Sequence, residues 1–265
     1  MSSKVSQRRR ELESIMQNES RIFVNEMSKL FRVTKETIRN DFDFLADTYG
    51  YERFHGGIKK NDIQIMDSEY LFTEKKSVNE EDKKQICFRA VDLLNDGDCI
   101  YIDGGSTVSY LLNYIGRKKN LTIITPSIAI LTKYSIEKLE ISFRENHHEL
   151  IFIGGHIHSN IQTTYGSFFD RMVEHIYFDQ MFLSFDGIDL EKHCTNGDQI
   201  AFHIADRIRK QSNRKIVLAE CSKFGVVKRY KSMDLKDVDV LVTNISLDEQ
   251  WKKSLKDYGV LYYKA

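Results

Sequence analysis

The sequence predicts an α/β chain in two parts: an N-terminal winged helix-turn-helix joined to a larger, mostly parallel α/β domain. Three observations predict it. The first sixty residues carry three short helical patterns followed by a Gly-Gly hairpin signal. From about residue 80, short apolar runs alternate with amphipathic stretches, the pattern of a parallel sheet with helices on its faces. The composition of the 265 residues is that of an ordinary globular protein, with 41% hydrophobic and 29% charged residues and a single proline. The expected division is 1–60 for the winged helix, 61–78 for a linker and 79–265 for the α/β domain.

In the head, Leu12, Ile15 and Met16 share one face of a first helix, from about Gln7 to Gln17. Val24, Met27, Leu30 and Phe31 mark a second. Thr34 is placed to cap the third, because its hydroxyl can accept from the free N–H groups of the first turn. Within that third helix Ile38, Phe42 and Leu45 point inward. Lys35, Thr37, Arg39 and Asn40 then lie on the outer side of its N-terminal half and, with Thr34 before them, are the expected DNA contacts of the helix, as donors for phosphates and base edges. Asp41, Asp43 and Asp47 come later. The second helix of a helix-turn-helix enters the major groove by its N-terminal part, so these acids need not meet DNA. Residues 51–54 are expected to pair with "RIFV" at 21–24, and Gly56-Gly57 supplies the turn. Arg53 and His55 on this wing can reach backbone phosphates. A three-helix packing module with a solvated charged face fits the same periodicity.

Charge is uneven. The formal net charge is zero, but residues 1–60 hold 12 Lys+Arg against 9 Asp+Glu, leaving 27 and 30 for the rest. A basic head on a slightly acidic body is compatible with nucleic-acid contact at one end.

In the body, "CIYID", "LTIIT", "ELIFIGG", "QMFLSFDG", "KIVLAE" and "VDVLVTN" read as strands, with helical patterns between most of them. "STVSYLLNYIG" reads as one of those helices. Ligands of such sheets bind at the carboxyl ends of the strands. "DGGST" follows a strand and opens a helix, so Asp103, Gly105, Ser106 and Thr107 suit an anion, with hydroxyls and a helix N-terminus to receive it. It matches neither a P-loop nor G-x-G-x-x-G, so no nucleotide is implied. A plain capped turn is the competing explanation. Ser127 in "TPS", Asp186 and Gly187 in "FDGID", and Lys223 after "KIVLAE" sit at other strand ends. Lysine and loop can take a phosphate, and carboxylates can accept from sugar hydroxyls.

Residues Thr37, Ile38, Arg39 and Asp41, followed by Arg53, His55, Gly56 and Gly57, resemble the DNA-binding head of the DeoR-type family of bacterial regulators. "GDCIYIDGGST", "FIGGHI", "FDQMFLSFDGID" and "LAECSKFG" resemble its C-terminal domain. The resemblance covers about residues 6–58 and 75–245, in the family's order. It implies a repressor of a sugar or sugar-alcohol catabolic operon, binding double-stranded operator DNA and controlled by a phosphorylated sugar. It also implies a body similar to ribose-5-phosphate isomerase and CoA-transferase folds. Asn40 replaces the family's second Arg, Phe42 a Leu, and Phe23 a capping Ser or Thr. Pro126 replaces an Asn and Phe185 a small residue.

Helix-turn-helix proteins commonly bind DNA as dimers, so a homo-oligomer, dimer or tetramer, is expected. An isomerase with an accessory domain is the enzymatic alternative. It needs a positioned base among Asp103, Asp186 and Asp189, and the sequence singles out none, so the reading is a non-enzyme. The cysteines Cys87, Cys99, Cys194 and Cys221 have no C-x-x-C spacing. His147, His148, His156 and His158 read as loop histidines, and no metal or cofactor is expected. No apolar run approaches the ~20 residues that span a bilayer, and the basic N-terminus precedes no apolar stretch. The expectation is a cytoplasmic protein without membrane contact.

Overall fold

The computed structural model describes residues 3–18, 21–49, 51–54, 56–59, 72, 75–76, 78–136 and 139–265. The chain forms two compact units, Met1–Met66 and Asp67–Ala265.

The first unit contains α1 (Ser3–Asn18), β1 (Arg21–Phe23), α2 (Val24–Phe31), α3 (Lys35–Tyr49) and the hairpin β2 (Glu52–Phe54) and β3 (Gly57–Lys59). Leu12, Met16, Val24, Met27, Ile38, Phe42, Leu45 and Ile58 form its core. The expected pairing of residues 51–54 with β1 is corrected here, because the strand order is β1-β3-β2. Ile58 lies opposite Ile22 and both are buried, so β3 brings the apolar side chain inward and takes the central place. Phe23 precedes α2 without a side-chain cap. The wing compensates: the Val24 N–H donates to the Gly56 carbonyl at 2.9 Å, satisfying one of the free N–H groups of that helix end. Arg32 turns the chain between α2 and α3 with φ +52°. Thr34 caps α3 as expected, its Oγ1 accepting from the Thr37 N–H at 3.2 Å.

Asp41 is only 1% exposed and accepts from Arg8 Nε at 2.6 Å and Arg9 Nε at 2.8 Å. The Arg9 guanidinium also lies 3.9 Å from the centroid of the Phe44 ring. Asp41 therefore ties α1 to α3.

The second unit is built on a seven-stranded parallel sheet. In spatial order its strands are β15 (Leu261–Lys264), β14 (Val240–Thr243), β12 (Lys215–Ala219), β9 (Gln180–Leu183), β4 (Cys99–Ile102), β5 (Thr122–Thr125) and β6 (Glu149–Phe152). Alternate residues serve opposite faces, as the two-residue period of a strand requires. Tyr101, Met181, Leu183, Val217 and Leu241 pack on one side with α7 (Ser167–Glu174), α8 (Gln199–Ile208) and α9 (Glu249–Tyr258). Ile100, Ile102, Phe182, Ile216 and Leu218 pack on the other with α4 (Glu80–Ala90), α5 (Ile128–Ile136) and α6 (Glu140–Glu145). The stretch expected to follow "DGGST" as an α-helix is instead two 3-10 pieces, Val108–Asn113 and Ile115–Arg117. Tyr110 N–H donates to Thr107 and Tyr114 N–H to Leu111, the three-residue spacing of that tighter coil. Outside the large sheet, β7 (His156–His158) pairs with β8 (Thr163–Tyr165), and β10 (Gly187–Asp189), β11 (His193–Asn196) and β13 (Tyr230–Met233) form a small antiparallel sheet.

Removing one partner of a buried ion pair strands the other. Asp41→Ala is expected to destabilise the first unit by on the order of 2 kcal/mol. Thermal unfolding of the full chain, followed by circular dichroism, checks this; an unchanged melting profile contradicts the clamp.

Candidate functional site

On the head, Lys35, Arg39 and Asn40 are exposed on α3 and Thr37 is partly so. Among the described residues, Arg39 pairs only with exposed Glu36, at 3.1 Å. Such a pair is worth little, so the guanidinium can be given to another anion at small cost. Thr34 Oγ1 lies 2.9 Å from Thr37 Oγ1 and is engaged as the cap. Arg53 is anchored by Asp43 at 2.9 Å and by the Gly57 carbonyl at 3.2 Å, which fixes its direction on the wing. His55 lies outside the described residues. Arg8 and Arg9 are committed to Asp41, whereas Lys29, Arg32, Lys35 and Arg39 are exposed.

In the second unit, β4, β9 and β12 are neighbours, and their carboxyl ends surround a cavity of about 80 Å³. After β4 come Asp103, Gly105, Ser106 and Thr107; after β9, Ser184, Phe185 and Asp186; after β12, Lys223. A Cβ at position 105 would fall 1.7 Å from Ser184 Oγ and 3.1 Å from its Cβ, so glycine lets the first loop lie against the second. The Cys87 thiol holds that loop from behind, donating to the Thr107 carbonyl at 3.1 Å.

The charges are arranged in opposition. Burial lifts the Asp103 carboxyl from 3.8 to about 6, and the charge of Asp186 adds to the lift. Burial also works against the charge of Asp186. Lys75, whose Nζ is 2.5 Å from Asp186 Oδ1, outweighs it and holds that carboxyl below the usual carboxylate range. Asp186 also accepts from the Gly197 N–H at 3.0 Å. Lys223 is pulled below the ordinary lysine range by burial, with the charge of Lys75 adding, and lies 3.8 Å from Glu220 Oε1. Two cations and two carboxylates in one small cavity can hold a ligand that carries both an anion and hydroxyls.

Two residues expected at the site stand elsewhere. Ser127 is buried and caps α5, its Oγ accepting from the Ile130 N–H at 3.3 Å. Gly187 is in β10, where a Cβ would meet the Val226 carbonyl oxygen at 2.2 Å, so its role is close packing. Asp189 is likewise spent on a turn, accepting from the Glu191 and Lys192 N–H groups at 2.8 Å each. The helix N-terminus expected to favour an anion is a 3-10 coil, so the groups there that can receive one are lysines, hydroxyls and loop amides. Phe72, Lys75, Asn160, Thr163 and Asn196 line the cavity and were not expected there. Phe72 and Lys75 belong to a polar stretch with no apolar period, and sequence carries no signal for them. His158 pairs with Asp198 at 3.3 Å, while His148 accepts from the Leu121 N–H at 3.1 Å through Nδ1. No group of three metal-ligating side chains occurs among the described residues, and no helix among them is long and apolar enough to cross a membrane.

A DNA-reading head followed by a sheet whose strand ends surround a polar cavity defines a transcriptional regulator with its own sensor domain. The family model of the DeoR-like helix-turn-helix domain matches residues 8–64 and that of the DeoR C terminal sensor domain residues 78–245. The chain belongs to the DeoR family of transcriptional regulators. It is 30% identical to the uncharacterized HTH-type transcriptional regulator YulB of Bacillus subtilis (strain 168), over 97% of this chain and 95% of that protein. It is 24% identical to a putative aga operon transcriptional repressor of Escherichia coli O157:H7 (96% and 92%) and 26% to the lactose phosphotransferase system repressor of Streptococcus mutans serotype c (94% and 96%). Ribose 5-phosphate isomerase from Plasmodium falciparum matches at TM-score 0.36 and 22% identity, over 55% of this chain and 53% of that one.

Asp103 binds its proton more tightly folded than unfolded. Between about pH 4 and about pH 6 the folded state therefore holds more protons, and stability falls as pH rises through that window. Relative to wild type, Asp103→Asn is expected to gain on the order of 2 kcal/mol above pH 6 and nothing below pH 4. Calorimetry of both chains across that range checks it; a pH-independent difference contradicts the placement of this carboxyl.

Proposed function

We propose that this regulator is a cytoplasmic repressor of a sugar or sugar-alcohol catabolic operon, that it binds operator DNA as a homo-oligomer, and that a phosphorylated sugar in the cavity of the second unit controls it. The observation that carries the reading is the cavity: Lys75, Lys223, Asp103 and Asp186 line it together with a loop of glycines and hydroxyls, and Lys75 pairs with Asp186. A sugar phosphate matches that set, its phosphate taken by the lysines, Ser106 and Thr107, and its hydroxyls by the carboxylates. Relatives named as repressors of the aga operon and of the lactose phosphotransferase system support the sugar connection. The α3 face supports the DNA half. Lys35, Thr37, Arg39 and Asn40 supply donors at the end of a recognition helix that enters the major groove. Arg53 and His55 on the wing add phosphate contacts. Two such heads about one DNA turn apart require an oligomer.

Control is a difference in effector affinity between DNA-competent and DNA-incompetent states. Nothing in this arrangement needs turnover, and Asp189, one of three candidate bases, is held in a turn away from the cavity.

Arg39→Ala is expected to weaken binding to DNA from upstream of the protein's own gene by about 1–3 kcal/mol, with the fold and sugar-phosphate binding intact. Fluorescence anisotropy at two salt concentrations measures it, and wild-type affinity removes α3 from the interface. Lys223→Ala is expected to keep DNA binding but lose its response to the sugar phosphate that shifts wild type. A normal response in the same titration removes Lys223 from the site.

A further inference from the structure

The cavity already contains part of the chain that leads into it. Phe72 is 8% exposed and lines the cavity wall. Lys75 reaches the same space, and its ammonium lies 2.5 Å from Asp186, one of the two carboxylates that line it. With both in place about 80 Å³ remains. That is well below the roughly 300–1,000 Å³ of a small-molecule site.

The segment is fastened just beyond this point. Lys83, buried at 2% exposure, donates through Nζ to the carbonyls of Lys75 and Val78, and Tyr110 Oη donates to the Lys76 carbonyl at 3.2 Å. Asn79 Nδ2 donates to Glu220 Oε2 at 3.0 Å. The carbonyls of Lys75, Lys76 and Val78 and the Asn79 side chain are therefore held by the body, whereas Phe72 and the Lys75 ammonium are held by the cavity itself. Residues 67–71 are all that separate Phe72 from the end of the first compact unit at Met66.

We propose that Phe72 and the Lys75 side chain are a tethered occupant of the effector site, and that a phosphorylated sugar binds by displacing Phe72 and drawing Lys75 from Asp186 to its phosphate. This rests on the sugar-phosphate reading of the cavity. Displacement exchanges one ion pair for another of the same kind, so its cost falls mainly on re-exposing Phe72. It frees Asp186 for a hydroxyl and separates Lys75 from Lys223 by an anion. The released residue lies on the N-terminal side of the fastened backbone, so the change is passed toward the DNA-binding head and not into the sheet. The ligand's binding energy is thereby converted into freedom of the connection to that head.

The test uses the full chain and a panel of ribose 5-phosphate, fructose 1-phosphate, glucose 6-phosphate and inorganic phosphate. Calorimetry finds which member binds, and amide hydrogen exchange of peptides covering 70–80 is read with and without it. The expected result is faster exchange in those peptides on binding, with the strands around the cavity unchanged or slower. Phe72→Ala is expected to bind the same member about tenfold more tightly, because the competing occupant is gone, and to show the faster exchange with nothing bound. A panel member that binds while exchange at 70–80 stays constant or slows overturns the displacement and leaves the sugar-phosphate reading standing. Binding to neither wild type nor Phe72→Ala overturns that reading and the displacement with it.

Discussion

The parallel register of β4, β9 and β12 is the constraint on which the sensor site depends. Ile102 stands opposite Phe182 and Leu183 opposite Val217, so the three strands point their carboxyl ends to the same edge, with β12 running two residues further to Ala219. Loops from positions 103, 184 and 220 therefore meet although more than a hundred residues separate the first from the last. Parallel strands need long crossovers, and the crossovers here are helices that bury both faces of the sheet. The apolar sheet is thus what allows charges to gather at its edge, because it fixes strand ends that the charges alone would drive apart. Gly105 and Gly187 let backbone approach closely where the loops leave those strands.

The site and the head use charge in different ways. In the head, Asp41 turns Arg8 and Arg9 inward, so two cations contribute to the structure of the winged helix. On α3, Arg39 pairs with an exposed glutamate and remains available to an anion. In the cavity, Asp103 is pushed toward neutrality by burial while Asp186 is kept ionised by Lys75, so two carboxyls one loop apart have opposite tendencies. A ligand with both phosphate and hydroxyls would meet two carboxylates of different proton affinity.

Much of this architecture was legible in the sequence, for a physical reason. Strands buried on both faces are short continuous apolar runs, and "CIYID", "LTIIT", "QMFLSF" and "KIVLAE" each gave a strand of the large sheet. Ile38, Phe42 and Leu45 likewise announced the inner face of α3. Three-residue strands such as β7, β8 and β10 are too short to show a period, and β13 is largely polar. The order of strands in the wing depends on which of Ile58 and its neighbours meets Ile22, a tertiary choice. Position at a strand end does not say which way a side chain turns, so Ser127 and Gly187 could not be separated from Asp186. Lys75 was invisible because its partner is 111 residues away and its surroundings have no pattern. Asp41 was read for its charge, and its value to the fold appears only when α1 is packed against α3.

The claim that unites these parts is that cavity and DNA-binding head are energetically coupled, and linkage makes that claim testable in both directions. The most direct measurement is a closed cycle on the full chain. DNA affinity is measured with and without a saturating sugar phosphate, and sugar-phosphate affinity with and without saturating DNA from upstream of the gene. The account predicts that both affinities change in the same direction and by the same factor, on the order of tenfold or more. A sugar phosphate that occupies the cavity and leaves DNA affinity unchanged would contradict it.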